Sequence, residues 1–170
     1  DLGRNEDRLR GTYEFPFEFH HIDSTHPRYV MSYHWHVECE IMRVLQGTLT
    51  VTLDEKSFVA NENDVIFIHS GILHSGIPED CVYQCIVFDM NVFLKLNSVC
   101  ADYIQKIVHQ DILIFHHFDS RYPDILNVVN SIFHTMEEKK AGYELSVIGQ
   151  FYHFFGIVFG NHYYLDSQPK

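Results

Sequence analysis

Basic residues are scarce in this chain of 170 residues. Lys and Arg together number 12 against 23 Asp and Glu, for a formal net charge of −11. Such a surface repels phosphate backbones, so these residues by themselves make a poor nucleic-acid binder. No C-x-x-C pair occurs. Cys39, Cys81, Cys85 and Cys100 lack the paired spacing of a structural zinc cage and read as reduced thiols of a cytoplasmic protein. No apolar run reaches membrane-spanning length and no signal peptide opens the sequence, so no membrane partner is expected. The first residue is Asp1 rather than methionine, which reads as part of a longer chain. Repeats and low-complexity tracts are absent as well.

What is present is apolar and aromatic. Hydrophobic residues make up 46% and aromatics 15%, enough for one domain with large buried rings. Two periods divide the chain. From Tyr13 to about Asp89, short alternating runs such as "YEFPFEF", "RYVMSYHWH", "VIFIHSG" and "CVYQCIVFDM" predict six to eight strands of a sandwich or barrel. "EIMRVLQGTLTVTLDEKSFVA" reads as two hairpins, turning at Gln46-Gly47 and at Asp54 to Ser57. Pro16 marks an edge or a bulge. Beyond Asn91 the period becomes helical. "SVCADYIQKIVH" predicts one helix and "DILIF" a short strand. "RYPDILNVVNSIFHTMEEKK" predicts a second helix entered at Pro123 and stopped by Gly142. A third, about Tyr143 to Tyr163, is apolar most of the way around and so calls for a second partner. We take that partner to be another copy of the chain, met through Phe151, Phe155, Val158 and Phe159. The predicted layout is an N-terminal arm over 1–12, a barrel over 13–90, a helical segment over 91–165 and the start of a linker over 166–170.

"SYHWHVECEIMRVLQG" carries the chemistry. On a strand His34 and His36 share a face about 6.6 Å apart, close enough for two imidazoles to converge on one ion. Glu40 lies about 13 Å further along a straight strand, so joining them requires a bend or bulge between His36 and Glu40.

The pattern His34-x-His36-x3-Glu40-x6-Gly47 resembles the first motif of the cupin superfamily, without the glycine that opens it, since Arg28 stands there. "NDVIFIHSGILH" is similar to the second motif, G-x5-P-x-G-x2-H. Asn63 and His69 replace its glycine and proline, while Gly71 and His74 fall in place. The resemblance implies a cupin (double-stranded β-helix or jelly-roll) barrel, mainly β with a C-terminal helix pair, and maps the usual metal ligands to His34, His36, Glu40 and His74. Together with "KKAGYEL" and the apolar helix after it, about residues 13 to 165 resemble the sensor region of AraC/XylS-type transcription regulators. That implies an effector-sensing, dimerising domain that is not an enzyme, with DNA contacted only through a helix-turn-helix domain outside this chain.

Three imidazoles and a carboxylate suit Zn, Ni, Fe or Mn without choosing among them. The same side chains also suit hydrogen bonds to a small organic effector, such as a sugar, or pairing among themselves. The inward face is expected to comprise Ser32, His34, His36, Glu40, Met42, His74 and Gln84. His69 is expected in a solvent-facing turn, the pairs His20-His21 and His116-His117 mostly at the surface, and Arg43 against an acidic residue or the helices. The alternative reading is a metal-dependent cupin enzyme of the dioxygenase or sugar isomerase type, with open metal positions for substrate.

Overall fold

The computed structural model describes residues 4–5, 8–95 and 98–167. Parts of the expected arm (1–3 and 6–7) and of the expected linker (168–170) lie outside them. In chain order come β1 (Arg4–Asn5), β2 (Phe17–Ile22), β3 (Met31–Trp35), β4 (Cys39–Leu53), β5 (Lys56–Ala60), β6 (Val65–Ile68) and β7 (His74–Phe88). A short 3-10 turn (Met90–Leu94) leads to α1 (Ser98–Val108), β8 (Ile112–Ile114), β9 (His117–Phe118), α2 (Pro123–Glu138), α3 (Tyr143–Asn161) and β10 (Tyr164–Asp166).

β4 and β7 form the frame. Each is 15 residues long, and they pair antiparallel from Cys39↔Phe88 to Leu53↔His74. β2 and β3 add to β7, β5 and β6 add to β4, and β9 extends the sheet beyond β6. The sheet rolls about an interior because both long strands bend midway, where their register shifts around Gln46. Gly47 makes that bend possible. Its φ is +71°, and a Cβ there would sit 2.2 Å from the Asp80 carbonyl oxygen. The expected turn at Gln46-Gly47 is therefore a bulge inside one continuous strand. The tight connection after Leu53 is as expected, with Leu53 facing Lys56.

The alternation of the strands sorts two cores. On β4, Met42 and Val44 point inward, while Cys39 and Ile41 point to the helices. On β6, Ile66 and Ile68 go in and Val65 and Phe67 go out. With helices over one face and the roll closing the other, these strands are buried on both sides. This accounts for runs such as "VIFI" that show no polar alternation.

Pro123 opens α2, whose buried stripe is Ile125, Val128, Val129, Ile132, Phe133 and Met136, as its spacing predicts. The helix ends one turn earlier than expected. Lys139 takes the left-handed cap position itself, and Gly142 instead precedes α3. α3 finds its second partner within the chain. Phe151 packs on Phe17, Phe88 and Phe93, and Phe154 stacks on Phe67. Phe151, Phe155 and Val158 are at most 2% exposed, which corrects their expected role as a surface for a second copy. Phe159 remains half-buried against Tyr103 of α1. Asp166, expected to begin a linker, is the last residue of β10, paired with Ile112.

His69 also departs from expectation. It is 1% exposed, and its Nε2 accepts the Ile114 amide at 2.8 Å, tying the end of β6 to β8. Burial, with His116 adding to it, pushes its pKa down to about 4, so it is held neutral. The unfolded chain takes up a proton near 6.5 that the folded chain refuses until about 4. Stability from this group is thus complete above 6.5 and is lost as pH falls through that window. By pH 4 the loss amounts to ~3 kcal/mol. His69→Gln, which keeps an acceptor but does not titrate, should flatten the fall in denaturant-measured stability between pH 6.5 and 4.

Candidate metal centre and cavity

The register of the strands assembles the cluster. His34 of β3 lies directly across from His74 of β7. After Trp35 the chain leaves the sheet for three residues and re-enters at Cys39, so that Glu40 falls between Val87 and Ile68. This is the bend that joining His36 to Glu40 requires. His36 Nε2 comes to 3.1 Å from Glu40 Oε1, and His74 Nε2 to 3.7 Å from the same oxygen. One ligand atom from each of His34, His36, Glu40 and His74 can be chosen so that all lie within 4.8 Å of one another. Ligands about 2.1 Å from a shared ion stand about 3.4 Å apart in a tetrahedral arrangement, so closing on one draws the widest pair together by about 1.4 Å.

All three rings are held the same way. Nδ1 of His34 contacts Ser32 O at 2.7 Å, that of His36 contacts Glu38 O at 2.9 Å, and that of His74 contacts Ile72 O at 2.8 Å. A carbonyl only accepts, so each Nδ1 carries the proton and each Nε2 presents a lone pair. Metal-ligating histidines are oriented by this kind of outer contact. His74 Nε2 is buried with no hydrogen-bond partner, a cost unless a positive centre faces it. His36 Nε2 and Glu40 Oε1 are then two acceptors in contact, which demands a second proton on His36 or a cation between them. The residues present therefore fit a divalent ion.

The electrostatics agree. Burial opposes the charge on Glu40, yet the hydrogen bond from His36 and the nearby His74 hold it well below the usual carboxylate range. Burial likewise opposes charging of His36, and its contact with Glu40 prevails, raising its pKa above 6.5. Cys85 is pushed well up by burial and by the Glu40 charge, so it stays a thiol.

The cluster lies beside a cavity of about 190 Å³, into which His34, His36, Glu40 and Ser32 face. His74, the fourth member of the cluster, is fully buried and does not line the cavity. Two other expected lining residues are placed elsewhere. Met42 is fully buried in the inner core. Gln84 points to the opposite face of β7, where it accepts from Arg43 Nε at 2.8 Å and contacts His21 Nδ1 at 2.9 Å. Arg43 meets both of its expected partners, pairing with Glu137 at 2.9 Å and lying 4.9 Å over the Phe133 ring. Inward on β7 are instead Tyr83, Cys85 and Val87, and the cavity is completed by Arg10, His26 and Arg28, which strand parity alone could not supply, and by His20 of β2, which alternates with Phe17 and Phe19.

A rolled barrel with a histidine-rich interior cavity defines a small-ligand-binding module. The chain belongs to the AraC-like ligand-binding domain family, whose model matches residues 16–155. A relative, the uncharacterized HTH-type transcriptional regulator YdeC of Bacillus subtilis, is 26% identical over 123 residues, covering 69% of this chain. The chain spans 42% of that relative's length. Among solved structures, a single-substitution variant of the B. subtilis oxalate decarboxylase is similar at 24% identity, over 35% of this chain and 18% of that one, with a TM-score of 0.32. A conserved protein of unknown function from Streptococcus pyogenes gives 16% identity over 43% and 62% of the two chains, with a TM-score of 0.37. No helix among the described residues is long and apolar enough to cross a membrane.

The Glu40–His36 contact makes a direct prediction. In chelator-treated Glu40→Gln protein the main raising influence is gone, leaving burial and the Arg10 charge against the weaker pull of the Glu38 carbonyl. The His36 pKa, followed by NMR titration, should drop from above 6.5 to below it.

Proposed function

We propose that this chain is the effector-sensing part of a transcription regulator, holding a divalent metal ion at His34, His36, Glu40 and His74 beside the cavity that receives a small molecule. One observation carries the reading: three imidazoles anchored through Nδ1 and one buried carboxylate converge at the wall of an interior cavity. When bound, the ion would supply a Lewis-acidic position for an acceptor atom of the effector. The chain's own residues do the rest. Backbone carbonyls fix the rings and Glu40 supplies the counter-charge. Zn, Ni, Fe and Mn all suit this donor set.

Membership in a ligand-binding family supports sensing over the enzymatic alternative, and the similarity to an HTH-type regulator supports a DNA-reading domain elsewhere in the full-length protein. The acidic balance of this chain suits that division of labour. A sensor acts by binding one arrangement of its surroundings better than another. The wall of this cavity has a physical link to the helices, because Gln84, set between Tyr83 and Cys85, holds Arg43, which in turn holds Asn130 and Glu137 of α2. Homodimerisation through α3 would use its outer face, where Leu145 is 81% exposed and Gly156 is open.

Elemental mass spectrometry of the purified chain should find about one ion per chain. With free metal at about 100 times its Kd, binding adds about 2.7 kcal/mol, so chelation should lower Tm by roughly 5–10 °C. His74→Ala should abolish that response. No stoichiometric metal and no thermal response would sink the metal site. In sedimentation the wild type should be a dimer that Gly156→Glu or Leu145→Glu weakens with little change in fold. Phe151→Ala should instead cost about 3–5 kcal/mol of stability at every protein concentration, as a core cavity does.

A further inference from the structure

The turn over 69–73, between β6 and β7, is tied on two sides. Toward the metal centre, the Gly71 amide donates to the His36 carbonyl at 2.8 Å, and the Ile72 carbonyl accepts from the His74 ring at 2.8 Å. The turn therefore holds two of the four candidate ligands, His36 through its backbone and His74 through its imidazole. Toward the helical segment, His69 Nε2 accepts the Ile114 amide at 2.8 Å, and the Gln110 side chain donates to the Ser70 carbonyl at 3.0 Å.

β8 carries the connection onward. Successive amides of a strand point to opposite edges, so Ile114 donates to the turn while Phe115, one residue on, donates to the Tyr163 carbonyl. On that second edge Ile112, Leu113 and Ile114 pair with Asp166, Leu165 and Tyr164 of β10. The Ser167 amide adds a bond to the Asp111 carbonyl. A continuous run of hydrogen bonds thus leads from the cluster through the turn and β8 to β10, the last of the described elements.

An ion cannot close the cluster without movement, since the widest ligand pair has to draw together by about 1.4 Å. Glu40 is held in the ladder on both sides, by Val87 and Ile68. His36 lies outside any strand, and His74 stands at the first position of β7. These two have the least ladder around them, and both hang on the turn. Gly71 gives the turn its reversal, with φ at +76°, a conformation glycine adopts without strain.

We propose that the turn over 69–73 couples the metal centre to the β8–β10 pair, so that an ion held by His36 and His74 also holds that strand pair in place. This rests on the reading of the cluster as a metal centre, and it gives that centre a structural output. His69 and Gln110 act as positioning residues, since neither belongs to the cluster. The coupling has a measurable form. An opening of β8–β10 that must also break the centre is slowed by bound metal, about 100-fold at 100 times Kd, whereas an independent opening is not slowed at all.

The test is amide hydrogen exchange on the 170-residue chain, chelator-treated or loaded with whichever of zinc, nickel and manganese binds most tightly. Each variant is loaded at about 100 times its own measured Kd. In the wild type, peptides spanning 112–114 and 164–166 should exchange at least about tenfold more slowly with metal. His69→Leu, which cannot accept from Ile114, should still bind the ion but show less than about twofold slowing there. His69→Gln, which restores an acceptor, should recover the slowing. Gln110 is exposed, so Gln110→Ala carries little structural risk and decides the matter where His69→Leu does not fold. It should cut the slowing at least about threefold. No slowing in the wild type, or slowing undiminished in Gln110→Ala or in a folded His69→Leu, would overturn the inference. If the wild type binds an ion and β8–β10 does not respond, the coupling has failed and the metal centre stands. If it binds none of the three ions, the metal reading fails and takes the coupling with it.

Discussion

Glu40 holds a carboxylate at 3% exposure on the inner face of the longest strand pair, where removing a charge from water costs several kcal/mol unless other charges and donors close around it. Much of the local architecture follows from that requirement. The chain must leave the sheet between Trp35 and Cys39 so that His36 can turn back onto the carboxylate. β3 must pair with β7 so that His34 meets His74 across the ladder. Each ring must also be fixed through its far nitrogen, since a freely rotating imidazole would compensate the charge only part of the time. Backbone carbonyls at Ser32, Glu38 and Ile72 do this without adding any further buried side chain.

The strands that build this interior also build the floor under the helices. On β7 the residues alternate, with Tyr83, Cys85 and Val87 toward the cavity and Gln84, Ile86 and Phe88 toward α2 and α3. Apolar neighbours pack across to the helix rings, and the one polar residue in the row is drawn into the Arg43 contacts. Any displacement of the inner row moves the outer row as well, because both sit on one extended backbone. The fold thus places a ligand-facing surface and a helix-facing surface a single strand apart.

The period-two runs, the helical stripes and the His-His-Glu spacing were legible in the sequence because each is a local pattern with a local cause. What was not legible depended on register or on tertiary cover. Gln84 was assigned inward with Ser32 and Met42, but parity carries no information from one strand to another until the pairing Arg43↔Gln84 is known. Gly47 looked like a turn because a glycine with positive φ serves a turn and a bulge equally well. The ring of apolar residues on α3 did signal two contact faces. The second turned out to be Phe93 and the α1 side of the same chain rather than another copy. Arg10 and Arg28 lie in irregular segments, where no periodicity points a side chain anywhere.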